Sequence, residues 1–296
     1  MLQRLKQSSS FWMILACFCF GIMGVFVKMG SVQFSISELV FYRCIAGFIG
    51  ILFVVMLQGN TLKVSLPMLK LHMSRCVAGF VALLFYFYAI AHLALPTAVT
   101  LSYTSPLFLT LITIFYLKQK PQSGQILAIM IGFVGVVLLL KPTFESAQWQ
   151  AGLLGLLSGL LSGVAYFNVN KLGQAGEPAW RTVFYFSLVS SLGAAVLMGL
   201  QDEPLTMLDS RNIWIVLGLG VSATVAQLAM TRAYSRGKTL AVASLAYLTV
   251  LFATLFAVLL WDEQLHLSSY IAMALIAACG ILSSALKMNK SVSLSP

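Results

Sequence analysis

Long apolar runs dominate this sequence and leave few folds open to it. A helix rising about 1.5 Å per residue needs about 20 mostly apolar residues to cross a hydrocarbon core of about 30 Å. Ten segments qualify, near 11–29, 37–57, 72–91, 96–117, 124–141, 151–171, 181–199, 211–231, 239–260 and 266–287. Hydrophobic residues fill 60% of 296 positions and charged residues only 9%, against roughly one-quarter charged in an ordinary soluble domain. The longest connectors, 58–71 and 200–210, are only loops, so no soluble domain is expected. The basic start and the apolar run from Phe11 to Val27 resemble a signal peptide, but the run is long and lacks a small-x-small cleavage site. It is expected to stay as the first helix. The third and fourth segments nearly merge at His92 to Leu95, where Pro96 suits the first turn of a new helix.

The net charge of +10 does not point to nucleic acid, because the basic residues never gather into one patch with interleaved aromatics. They sort by side instead. With both termini cytoplasmic, fourteen lysines and arginines fall on the inner side, among them Lys70, Arg75, Lys171, Arg181 and Arg232, and only Lys28, Lys141 and Arg211 fall outside. Arg43 alone lies within a span. Most acidic residues, including Glu38, Asp209 and Glu263, fall on the outer side.

Ala89 to Tyr103 matches Ala233 to Tyr247 at a constant offset of 144 residues. Each half then holds five crossings, and an odd number forces the second copy to enter from the opposite side. The expected fold is an all-α integral membrane protein of ten transmembrane helices, built as two inverted five-helix repeats at 11–141 and 151–287.

The second half carries Ala233-Tyr234, Gly237, Ala241, Ser244, Tyr247 and Trp261-Asp262-Glu263, and the first carries Ala98, Tyr103, Ser105-Pro106, Gly132 and Gly135, with Arg43 in the second segment. In these residues the pattern resembles the ten-helix EamA type of the drug/metabolite transporter superfamily, in which a second-helix arginine is frequent. Two departures stand out. Lys118-Gln119-Lys120 occupies the place of a glutamate often found after the fourth helix, and Phe186 stands where an arginine would echo Arg43. The resemblance implies transport of amino acids, their derivatives, vitamins or other metabolites.

Arg43 is the first candidate for substrate contact, because a charge in a membrane span is costly and usually faces a cavity or a partner. Its planar fork could grip a carboxylate bidentately. The plainer readings are that it snorkels outward, or that it pairs with Glu38 to hold the first two helices; five residues put these two about 140° apart on one helix, which makes the pair a poor one. Tyr86, Tyr103, Tyr166, Asn168, Gln227 and Tyr247 form the second group of candidate substrate-binding residues. Each needs a polar partner away from water, and each taken singly fits interhelical packing as well as a path between the halves. Tyr234 and Trp261 lie near span ends and fit an interfacial aromatic belt. Gly155, Gly159 and Gly163 give the sixth segment a bare face for close helix approach. Lys28 and Lys171, at corresponding span ends, are read as anchors.

None of His72, His92 or His266 stands in an H-E-x-x-H site, and the five cysteines form no metal-ligand pattern, so neither a cofactor nor a metal is expected. The expected function is a secondary transporter, not an enzyme, moving a small metabolite across the bacterial inner membrane by alternating access, with export favoured over nutrient uptake. No carboxylate lies midspan to suggest proton coupling. A passive channel or an intramembrane enzyme is the alternative of another class. The expected partners are a small-molecule substrate and the lipid bilayer, with a homodimer left open and no nucleic acid.

Overall fold

In the computed structural model the described residues are 9–58, 61–116, 118, 123–140, 149–201 and 205–261, with 271, 274, 275 and 278 besides. Among them every regular element is a helix: α1 Ser9–Gly30, α2 Ile36–Gln58, α3 Leu66–His92, α4 Leu95–Ser102, α5 Ser105–Phe115, α6 Ser123–Leu140, α7 Trp149–Gln174, α8 Ala179–Gly199, α9 Ile213–Arg236, α10 Thr239–Leu245 and α11 Leu248–Trp261. Among the described residues eight stretches are long and apolar enough to cross a membrane, α4–α5 and α10–α11 each counting as one. The segment expected at 266–287 lies almost wholly outside the described residues. Phe53, Leu192 and Val221 are each at least 60% exposed on the bundle's outer surface, which suits a lipid surround and would be a liability in water.

Two expected spans are interrupted. α4 stops at Ser102 and α5 starts at Ser105 because Pro106 has no N–H to donate and its ring would collide with the carbonyl four residues back, that of Ser102. Beside the break the Leu101 carbonyl accepts the Thr104 hydroxyl at 2.6 Å. The second break, at Ala246–Tyr247, has neither proline nor glycine. There the Cys17 thiol donates to the Leu245 carbonyl at 3.4 Å.

α3 begins at Leu66, six residues before the expected start, with proline in its first turn. This lengthening corrects the sidedness count, since Arg75 belongs to the helix interior and is buried. Lys28 is likewise more than an anchor. Its ammonium donates to the Ile90 and Leu93 carbonyls at 2.9 and 2.8 Å, closing the C-terminal end of α3 where carbonyls lack helical partners.

The helices of the first half pack mainly on those of the second. α3 lies along α7, α1 along α9, α2 along α8, and α4 meets α11. The bare face of α7 carries the first break: a Cβ on Gly159 would stand 2.8 Å from the Leu101 carbonyl oxygen, and one on Gly163 would stand 3.2 Å from the Leu109 amide. At one end of the bundle Ser35 and Glu38 form a reciprocal capping box on α2, and the Glu38 carboxylate also accepts the Thr206 amide at 2.6 Å. At the other end Glu177 pairs with Arg181 at 3.0 Å and lies 3.5 Å from the His72 ring, while Arg181 donates to the Thr61 carbonyl.

Candidate functional site

A cavity of about 70 Å³ lies among α1, α2, α3, α7, α8 and α9 and the end of α4. Both halves of the chain line it. Of the seven expected substrate contacts, Arg43, Tyr86, Tyr103, Tyr166 and Gln227 stand on its wall. The break after Ser102 brings Tyr103 to the lining, and the α3–α7 pairing sets Tyr86 and Tyr166 there. Tyr166 stacks on Tyr234, with centroids 4.9 Å apart and planes 15° from parallel.

Asn168 and Tyr247 lie elsewhere. The Asn168 amide donates to the Ser74 hydroxyl at 2.9 Å and lines a side groove with Lys70 and Lys171, whereas Tyr247 is fully buried at the second break. Tyr234 is not an interfacial belt residue, being 0% exposed. The side chain of Trp261 lies outside the described residues.

Arg43 is 5% exposed, and its Nη2 donates to Gln227 Oε1 at 3.0 Å, while its Nε has no hydrogen-bond acceptor. The expected alternative pairing with Glu38 is absent, because that carboxylate is taken up by Ser35 and Thr206. Snorkelling is excluded by the same burial.

Arg75, counted in the sequence as an inner-side marker, is the second guanidinium on the cavity wall. It is 3% exposed, its Nε and Nη1 have no hydrogen-bond acceptor, and it curls back against Gly79, whose missing side chain leaves it room. Phe186 sits beside both cations, its ring centroid 4.0 Å from the guanidinium carbon of Arg75 and 5.5 Å from that of Arg43. A ring face attracts a cation but supplies no counter-charge. So where the resemblance would place an echoing arginine on α8, this chain has an aromatic ring and takes its second cation from α3. Leu66-Pro67 was the available signal, since a proline in the first turn marks a helix start that takes Arg75 into the span.

Among the described residues no aspartate or glutamate lines the cavity. Among the described residues no group of three His, Cys, Asp or Glu side chains could hold a metal. What this arrangement offers is two cationic forks, an aromatic face and several neutral hydroxyl and amide groups around one small cavity, which suits recognition of a polar anion.

Fold and cavity together define a multi-pass membrane protein with an internal polar site. The EamA-like transporter family model matches twice, at residues 7–141 and 150–285, and the chain belongs to that family. It is 31% identical over 274 residues to an uncharacterized transporter of Helicobacter pylori strain J99, covering 91% of this chain and 92% of the other. It is 29% identical over 264 residues to the pseudopaline exporter CntI of Pseudomonas aeruginosa strain PAO1, covering 89% and 91%. A crystal structure 18% identical in sequence has the same fold, with a TM-score of 0.78 over 95% of this chain and 100% of that one.

Proposed function

We propose that the protein is a secondary transporter of the bacterial inner membrane that exports a small metabolite by alternating access, with both termini cytoplasmic. Its site is the cavity between the two halves, where Arg43, Tyr86, Tyr103, Tyr166 and Gln227 contact the substrate. The observation that carries this reading is the buried, cavity-facing Arg43, whose partner on the opposite half is a neutral amide. A charge kept in a membrane span without an acidic partner has a functional reason to be there.

Two further observations support the mechanism. The cavity holds a few waters at most, at roughly 10–15 Å³ of such space per water, and is far smaller than the ~300–1,000 Å³ usual for ligand pockets. Substrate can enter only if the lining helices part. The pairings α1 with α9 and α3 with α7 exchange when each half is renumbered as the other, and the two helix breaks fall near the residues that match at the 144 offset. This supports a two-fold inverted repeat of ten helices, whose halves can rock about a shared site. A relative named as an exporter favours outward movement.

The test compares metabolites inside and outside bacteria expressing wild type, Arg43→Ala or an empty vector by untargeted mass spectrometry. A compound that accumulates outside only with wild type is the expected result and names the substrate. Matching wild-type and empty-vector profiles despite confirmed membrane insertion would overturn export. Depletion of an external nutrient would reverse the direction.

A further inference from the structure

We infer that the substrate is a small dianion carrying two separate carboxylates, one held by Arg43 and one by Arg75, with its connecting chain lying along Phe186. The inference deepens the transport reading above and rests on it.

Two buried cations close together repel each other, and each has given up hydration, so both need counter-charge or well-placed acceptors. The centroid distances to Phe186 limit their separation, since the guanidinium carbons can be no farther apart than 4.0 and 5.5 Å laid end to end. Among the described residues nothing acidic lines the cavity they share. Gln227 gives Arg43 one neutral acceptor; the Nε of each arginine and Nη1 of Arg75 have none. Those three N–H groups belong to rigid forks of the shape that binds carboxylate edge-on.

One carboxylate would satisfy one fork and leave the other buried and unpaired. Two carboxylates on a short chain satisfy both, and the methylenes between them match the apolar ring that adjoins both cations. The same wall disfavours a substrate cation, because it offers an incoming ammonium neutral acceptors at best while two positive charges repel it. A simple zwitterion is therefore the poorer match.

Full-length protein purified in detergent tests this through its thermal unfolding midpoint with malonate, succinate, glutarate or adipate, each beside its own monoamide at matched ionic strength. Wild type should be stabilised more by at least one diacid than by its monoamide, with an apparent affinity about tenfold to hundredfold higher, as expected when one charge-assisted contact is lost. Arg75→Gln and Arg43→Gln should each erase that difference, Arg75→Lys should keep part of it, and Lys70→Gln, outside the cavity, should leave it intact. No preference for any diacid in wild type, or a preference that survives both glutamine variants, overturns the proposal. If the arginine variants do not fold, the wild-type comparison alone decides. Movement of the best diacid into proteoliposomes is scored separately; its absence would sink transport while leaving the dianion site standing.

Discussion

Arg43 Nη2 and Gln227 Oε1 meet at 3.0 Å, joining α2 in the first half to α9 in the second. A side chain that holds the two halves together and also faces the cavity puts stability and transport in opposition. Gln227→Glu converts a neutral acceptor into a counter-ion, satisfies Arg43 permanently and strengthens the joint. The expected outcome is a higher unfolding midpoint in detergent with transport lowered at least tenfold. Gln227→Leu should instead destabilise by about 1–3 kcal/mol, the cost of leaving a buried donor without its acceptor. Thermal unfolding and vesicle transport on the same preparations check both.

Gly79 keeps Arg75 in place. A Cβ there would stand 3.0 Å from Cε2 of Phe186 and would collide with the guanidinium. Gly79→Ala should favour the helix itself by roughly 1 kcal/mol while pushing Arg75 off the ring. Expression and unfolding midpoint should change little, and substrate affinity should fall about tenfold. Unchanged affinity would mean that the position of Arg75 does not matter to binding.

The spans were legible because bilayer thickness fixes how long an apolar run must be, and Arg43 was legible because it is a lone charge inside such a run. Arg75 was hidden by the same rule. Lys70, His72 and Arg75 made the third segment look as though it began at His72, although Pro67 carries the true start. Phe186 showed in the sequence only as a missing arginine, and its place beside two cations stayed hidden until its neighbours were known. Of the two helix breaks, Pro106 announces the first. Nothing in Ala246-Tyr247 announces the second, and nothing in the local sequence explains it. Asn168 and Tyr247 carried the same polar signature as Gln227, and only packing separates a wall residue from one satisfied within the bundle.

Glu38 belongs to the frame of the bundle and not to its site. Its carboxylate accepts from the Ser35 amide at 2.8 Å and from the Thr206 amide at 2.6 Å, so it both caps α2 and ties down the loop before α9. Glu38→Gln removes the charge and should cost about 1–2 kcal/mol of stability, in the range of a lost cap. Substrate affinity should be unaffected, because Arg43 makes no contact with this carboxylate. A large affinity loss in a folded Glu38→Gln protein would return Glu38 to the list of site residues.

The break in the fourth span lies directly on the bare face of α7, which makes the glycine stripe testable one residue at a time. Gly159→Ala would bring a Cβ to 2.8 Å from the Leu101 carbonyl oxygen and 3.1 Å from that of Ser102. These are backbone atoms, so the clash is relieved only if α7 and the α4–α5 break move apart, at an overpacking cost of typically 1–3 kcal/mol. The comparison that isolates the effect is Gly163→Ala, whose Cβ would have 3.2 Å to the Leu109 amide and 3.3 Å to the Ser105 carbonyl. The expected order is a larger fall in unfolding midpoint for Gly159→Ala than for Gly163→Ala. Since Tyr103 reaches the cavity only through this break, transport should fall further with Gly159→Ala than its stability loss alone predicts. Equal midpoints for the two variants would show that the close approach at Leu101 is not what holds the break in place.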